Sequence, residues 1–166
     1  MRWLRAIGRA GRALLLTLGL VSPGELARSG YGVSGFVRVE VRGPDGQIKS
    51  CAQHNTVTTA GKAGLADQAL ASPSLNKPTH MAVGTGTPSG TALGTELDRN
   101  ALTSKTRSGA VVTMVGDWAA GDGTGTLTEA GVFDAASTGN MWLSTTFAVT
   151  KAAADTLSIT WTLTVA

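Results

Sequence analysis

Few side chains in this sequence could act on a substrate. Cys51 and His54 stand close enough to suggest a thiolate–imidazole pair, in which the ring takes the thiol proton and frees a nucleophile. Such a pair needs a third group to orient the ring. No acidic residue neighbours His54 or the second histidine, His80. In a strand, positions three apart point to opposite faces, so the structural reading of both residues is preferred. Cys51 is the only cysteine, which excludes an internal disulfide and a Cys-based zinc site. Gly84-Thr85-Gly86 does not continue as a dinucleotide-binding glycine motif, and no Lys-Ser/Thr pair makes a phosphate loop. Asp117, Asp122, Glu129 and Asp134 lack the spacing that gathers oxygens around calcium, and they read as independent turn and surface acids. Lys62, Lys77, Lys105 and Lys151 are scattered along the chain, and the four Trp residues read as core or interface anchors. The residues therefore predict no enzyme, no metal, no cofactor and no nucleic-acid partner.

The elements that would carry these residues are mostly strands. Charged residues make up only 15% of the chain, where about a quarter is usual, so the composition does not suit disorder. Gly numbers 22 and Thr is about as common, which favours pleated surfaces joined by tight turns. Val37, Val39 and Val41 alternate with Arg38, Glu40 and Arg42, and Gly43-Pro44-Asp45-Gly46 then turns the chain into a returning strand from Gln47. Thr59 is expected to cap a short helix over Ala60–Ala71, weakened by Gly61 and Gly64. His80–Val83 reads as a buried strand, and Leu93–Arg99 as a helical turn or strand entry. Four more strands are expected at Ala110–Trp118, Thr126–Asp134, Met141–Thr150 and Thr156–Val165. In the last, Leu157, Ile159, Trp161, Leu163 and Val165 oppose a face of threonines. The expected fold is mainly β, an antiparallel β-sandwich over 36–166 with one short accessory helix.

Residues 1–35 form a different segment, read as a basic amphipathic helical arm and a link. Residues 1–30 hold five arginines against Glu25 alone, whereas 31–166 hold nine basic and ten acidic groups. The net charge of +3 thus belongs to the arm. Trp3, Ile7, Leu14 and Leu18 recur on one helical face, with Arg2, Arg5, Arg9 and Arg12 on another. Docking onto another protein subunit is the preferred role of this arm. A signal or membrane role competes, because Ala13–Val21 has the length of a signal-peptide core and is too short to span a bilayer. Against export, Glu25 falls where a cleavage site wants a small residue. A helix packed on its own domain is the third reading. Pro23-Gly24 ends the helix, and Ser29–Gly35 reads as a flexible link.

A set of spaced motifs adds a resemblance. Asn55–Gly61 is followed by His80–Thr87, then Thr91, Leu93, Glu96, Leu97 and Arg99. Glu129–Asp134 comes next, then Met141 and Phe147, and finally Lys151 with Asp155–Trp161. In this order, over about residues 50–166, the chain resembles a family of small tailed-bacteriophage virion proteins, similar to the N-terminal domains of tail-collar and tail-fibre proteins. The resemblance implies a non-enzymatic subunit of the virion, assembled in the host cytoplasm. It would self-associate, with a trimer favoured, and dock on other virion proteins rather than on a membrane. It also implies that Glu129, Gly131 and Phe133 fix a strand-turn feature, and that Gly84 and Gly86 form a close-packed loop. Trp161 belongs to the last motif. The resemblance does not include the arm, and no long fibrous extension lies before Ala166, so a capsid-decoration or head-neck role is the alternative within the same class. An exported surface β-module with a cleaved signal peptide is the alternative outside it.

Overall fold

The clearest alternation in the sequence builds the middle of one sheet. The computed structural model describes residues 32–165, in which β1 (Val33–Arg42) buries Val37, Val39 and Val41 and turns Arg38 and Arg42 outward. The turn at 43–46 closes with the Gly46 N–H donating to the Gly43 carbonyl at 2.9 Å. Gly46 sits at φ 81°, a left-handed conformation that glycine adopts without steric cost. β2 (Ile48–His54) returns antiparallel to β1. The other neighbour of β1 is the final strand, β10 (Thr156–Val165), paired over ten positions from Val33↔Val165 to Arg42↔Thr156. Beyond β10 lie β7 (Val111–Trp118) and β6 (Ser104–Ser108), giving the order β2-β1-β10-β7-β6.

The second sheet has the order β3-β9-β8-β4-β5, formed by β3 (Thr56–Val57), β4 (His80–Gly84), β5 (Glu96–Ala101), β8 (Gly125–Phe133) and β9 (Met141–Lys151). All pairings in both sheets are antiparallel. Val39, Ile159 and Trp161 of the first sheet and Met81, Leu127 and Val132 of the second belong to one apolar cluster, so the two sheets share a core and the body is a β-sandwich. Trp118, Trp142 and Trp161 are all buried within it.

Several boundaries differ from those expected. β1 begins at Val33, inside the stretch read as a link, because Val33 to Gly35 pair with β10. The Asn55 side chain occupies the space that a Cβ on Gly35 would need. Leu93–Arg99 is a strand entry rather than a helical turn, since β5 starts at Glu96. The helix, α1, runs Thr59–Asp67, shorter than expected, and its cap is Thr58 rather than Thr59. Thr58 Oγ1 accepts from the Gly61 N–H at 2.9 Å and also faces the Met141 and Trp142 carbonyls, which seats the cap on β9. The docking-arm residues Trp3, Ile7, Leu14, Leu18, Arg2, Arg5, Arg9 and Arg12 lie outside the described residues.

Candidate functional site

A dense polar arrangement surrounds Glu129 on the outer face of the second sheet. An irregularity in the β8·β9 pairing between Leu127 and Glu129 resets the strand's alternation. Leu127, Ala130 and Val132 consequently belong to the inter-sheet core, while Glu129, Gly131 and Phe133 take the other face. There Glu129 is fully buried. Its Oε1 accepts the Gly86 N–H at 2.9 Å and the Thr95 N–H at 2.7 Å, and its Oε2 accepts the Gly94 N–H at 2.8 Å. A buried carboxylate is costly unless paired or hydrogen-bonded, and three backbone donors meet that requirement. One side chain thus fastens both ends of the loop between β4 and β5.

The loop can come this close only because it lacks side chains at the contact points. The register sets Gly84 opposite Glu129, and a Cβ on Gly84 would lie 2.6 Å from Glu129 Oε1 and 2.3 Å from the Thr95 carbonyl oxygen. A Cβ on Gly86 would meet the Thr95 nitrogen at 2.7 Å. Thr128 Oγ1 donates to the Gly86 carbonyl at 2.6 Å and closes the loop from its other side. Gly131 is similarly confined, between Met141 Sδ and the Phe133 ring, each 2.9 Å from its would-be Cβ.

A second fastener stands beside the first. The Arg99 guanidinium lies 3.7 Å above the Phe133 ring centroid and pairs with both carboxylate oxygens of Glu96, Nε to Oε1 at 2.8 Å and Nη2 to Oε2 at 2.6 Å. Its Nη1 donates to the carbonyls of Ala135 and Thr138 at 3.0 and 2.8 Å. Thr138 has φ 54°, a conformation costly for a β-branched residue, and Arg99 holds it there. Asp134 completes the turn, accepting from the Asn140 backbone and side-chain nitrogens at 2.7 and 2.9 Å. Glu129 and Asp134 are therefore buried fasteners and not the surface acids that spacing suggested. Asp117 and Asp122 are exposed. Among the described residues, no group of three His, Cys, Asp or Glu side chains is placed to hold a metal ion.

The remaining candidates do not converge. Cys51 and His54 belong to β2 three positions apart, with Cys51 packed against the core and His54 exposed, its ring edge-on to Phe36 at 5.8 Å. Burial raises the Cys51 thiol pKa, offset in part by a hydrogen bond from the Ala148 backbone. His80 Nδ1 is 2.8 Å from Thr79 Oγ1. His54 and Lys62 do share the wall of a polar cleft of about 520 Å³, and among the described residues no acidic side chain lines it. Trp161 is wholly buried in the core.

Three lysines are placed in ways that sequence reasoning missed. Lys151 is fully buried at the end of β9, with Nζ donating to the Ala119 carbonyl at 3.0 Å. Lys77 and Lys105, distant in the chain, line one opening, and Lys105 Nζ donates to the Pro78 carbonyl at 2.6 Å. Burial first, and the Lys77 charge second, hold the Lys105 pKa below its ordinary value. No family model, curated protein or solved structure matches this chain.

Proposed function

We propose that this protein is a non-enzymatic structural subunit of a tailed-bacteriophage particle, of the tail-fibre, collar or baseplate type. It would self-associate, with a trimer favoured, and dock on neighbouring virion proteins through its basic amphipathic arm. One observation carries the reading: the polar residues of the motifs that suggest it are engaged in holding backbone. Glu129 binds the loop at 86–95, Arg99 binds the turn at 135–138, and Thr58 seats α1. Side chains spent on fixing loops suit a building block whose surface must present one shape to its neighbours. Burying Trp3, Ile7, Leu14 and Leu18 in a partner's groove would contribute about 1.5–3 kcal/mol each before ordering costs, and repetition on a symmetric particle would add avidity.

Deleting residues 1–31 tests the arm. The shortened body is expected to fold with unchanged β circular dichroism and to be missing from purified particles. Normal incorporation contradicts the proposal. A capsid-decoration or head-neck position is the variant reading, separated by labelling the subunit on imaged particles. The apolar run Ala13–Val21 supports the exported-module alternative. N-terminal sequencing of protein from its native source decides that point, since a start near Arg28 means export.

A further inference from the structure

The edge strand β6 leaves one side of the sandwich open. Its register sets Lys105 opposite Met114 and Arg107 opposite Val112, so two cations occupy the face where β7 turns apolar side chains toward the core. Inward-pointing charges protect an edge strand from pairing with other chains. Here they also frame a recess whose apolar walls are otherwise largely shielded from solvent. The result is a slot of about 450 Å³, within the ~300–1,000 Å³ range of small-molecule sites. Leu65 of α1, Val112, Met114, Trp142, Leu143 and Leu163 form its walls.

The charge around this slot is one-sided. Among the described residues, Lys77, Lys105 and Arg107 line it and no acidic residue does. Among the described residues, Lys105 and Arg107 donate only to the carbonyls of Pro78 and Gly109, and neither joins either of the two ion pairs found there. Three cations beside an apolar cavity complement a molecule with a long apolar part and one anionic end. The chain's own arm has the wrong sign, carrying Arg2, Arg5, Arg9 and Arg12 beside its apolar stripe.

We propose that this slot binds a single-chain aliphatic carboxylate, its chain against Trp142, Met114 and Leu163 and its head group among Lys77, Lys105 and Arg107. The site is independent of the assembly role. Bringing a carboxylate to the rim would offset the repulsion between Lys77 and Lys105, so the head group contributes selectivity and the apolar walls contribute affinity.

The test uses the full chain with ¹³C-methyl methionine and decanoate as the probe. Decanoate is expected to saturate and to shift the Met114 methyl resonance while those of Met81 and Met141 stay in place. Decanol should bind about tenfold more weakly, and decyltrimethylammonium more weakly still. The exposed double variant K105Q/R107Q should retain its other methyl resonances and bind decanoate no better than decanol. Absence of a saturable Met114 shift overturns the proposal, as does equal affinity of the unaltered protein for decanoate and decanol. A Met114 shift on diluting the ligand-free protein would assign the slot to a second copy. The same shift on removing residues 1–31 would assign it to the arm. Either result also overturns it.

Discussion

Glu129 concentrates more of the loop architecture in one side chain than any other residue near it. Replacing it with Ala would strand the Gly86, Gly94 and Thr95 amides in a buried site, and the expected loss is at least about 3 kcal/mol in denaturant-induced unfolding. Glu129→Gln should recover only part of this, because its amide nitrogen would face an N–H donor. Asp67 performs a smaller version of the same task at the surface. Its carboxylate accepts the Leu75 N–H at 2.9 Å and the Ser74 hydroxyl at 3.0 Å, and the Leu75 hydrogen bond is the main reason its pKa lies below the ordinary value. A depressed carboxylate contributes stability above its unfolded pKa, and that contribution fades as pH falls through the folded value. The Leu75 amide proton resonance should therefore move with a midpoint below the usual aspartate range, and Asp67→Asn should abolish that titration.

Helix α1 illustrates how packing can reverse a propensity argument at the scale of one element. Gly61 and Gly64 each weaken a helix by about 1 kcal/mol relative to Ala. In the fold they allow α1 to lie directly on Trp142: a Cβ on Gly61 would be 2.1 Å from the Trp142 carbonyl oxygen, and one on Gly64 2.2 Å from its ring. Both Gly→Ala substitutions are expected to lower the denaturation midpoint despite the better helix former. Combining Gly64→Ala with Trp142→Leu should cost less than the sum of the two, because the obstacle is a side chain. Gly61→Ala should show no such relief, since it meets backbone. The same contrast explains what could be read in the sequence. β1 and β10 were legible because one face of each is buried and period 2 survives. β6 was not, because Ser104-Lys105-Thr106-Arg107-Ser108 has no apolar residue to mark a face. Gly84, Gly86 and Glu129 stood out in motifs, whereas Gly94 did not. The burial of that carboxylate did not, because its partners are backbone amides 34 to 43 residues away.

Among the described residues, the most distant strand pairing joins the first strand of the sandwich to the last. Val33 and Val165 are direct partners, so the two ends of the sandwich meet on adjacent strands of one sheet. A circular permutant joining 165 to 33 through a short glycine linker, with new ends at the exposed Asp122, should retain the native fold and the buried tryptophan fluorescence. Loss of folding would show that the order of the strands along the chain, and not only their contacts, is required. Such non-local pairing also slows folding, because loop closure must precede the contacts that reward it. During synthesis, β1 emerges early and waits unpaired on one side until some 120 residues more have left the ribosome. Throughout that interval the valines of β1 face water, which makes the nascent chain a natural client for a chaperone.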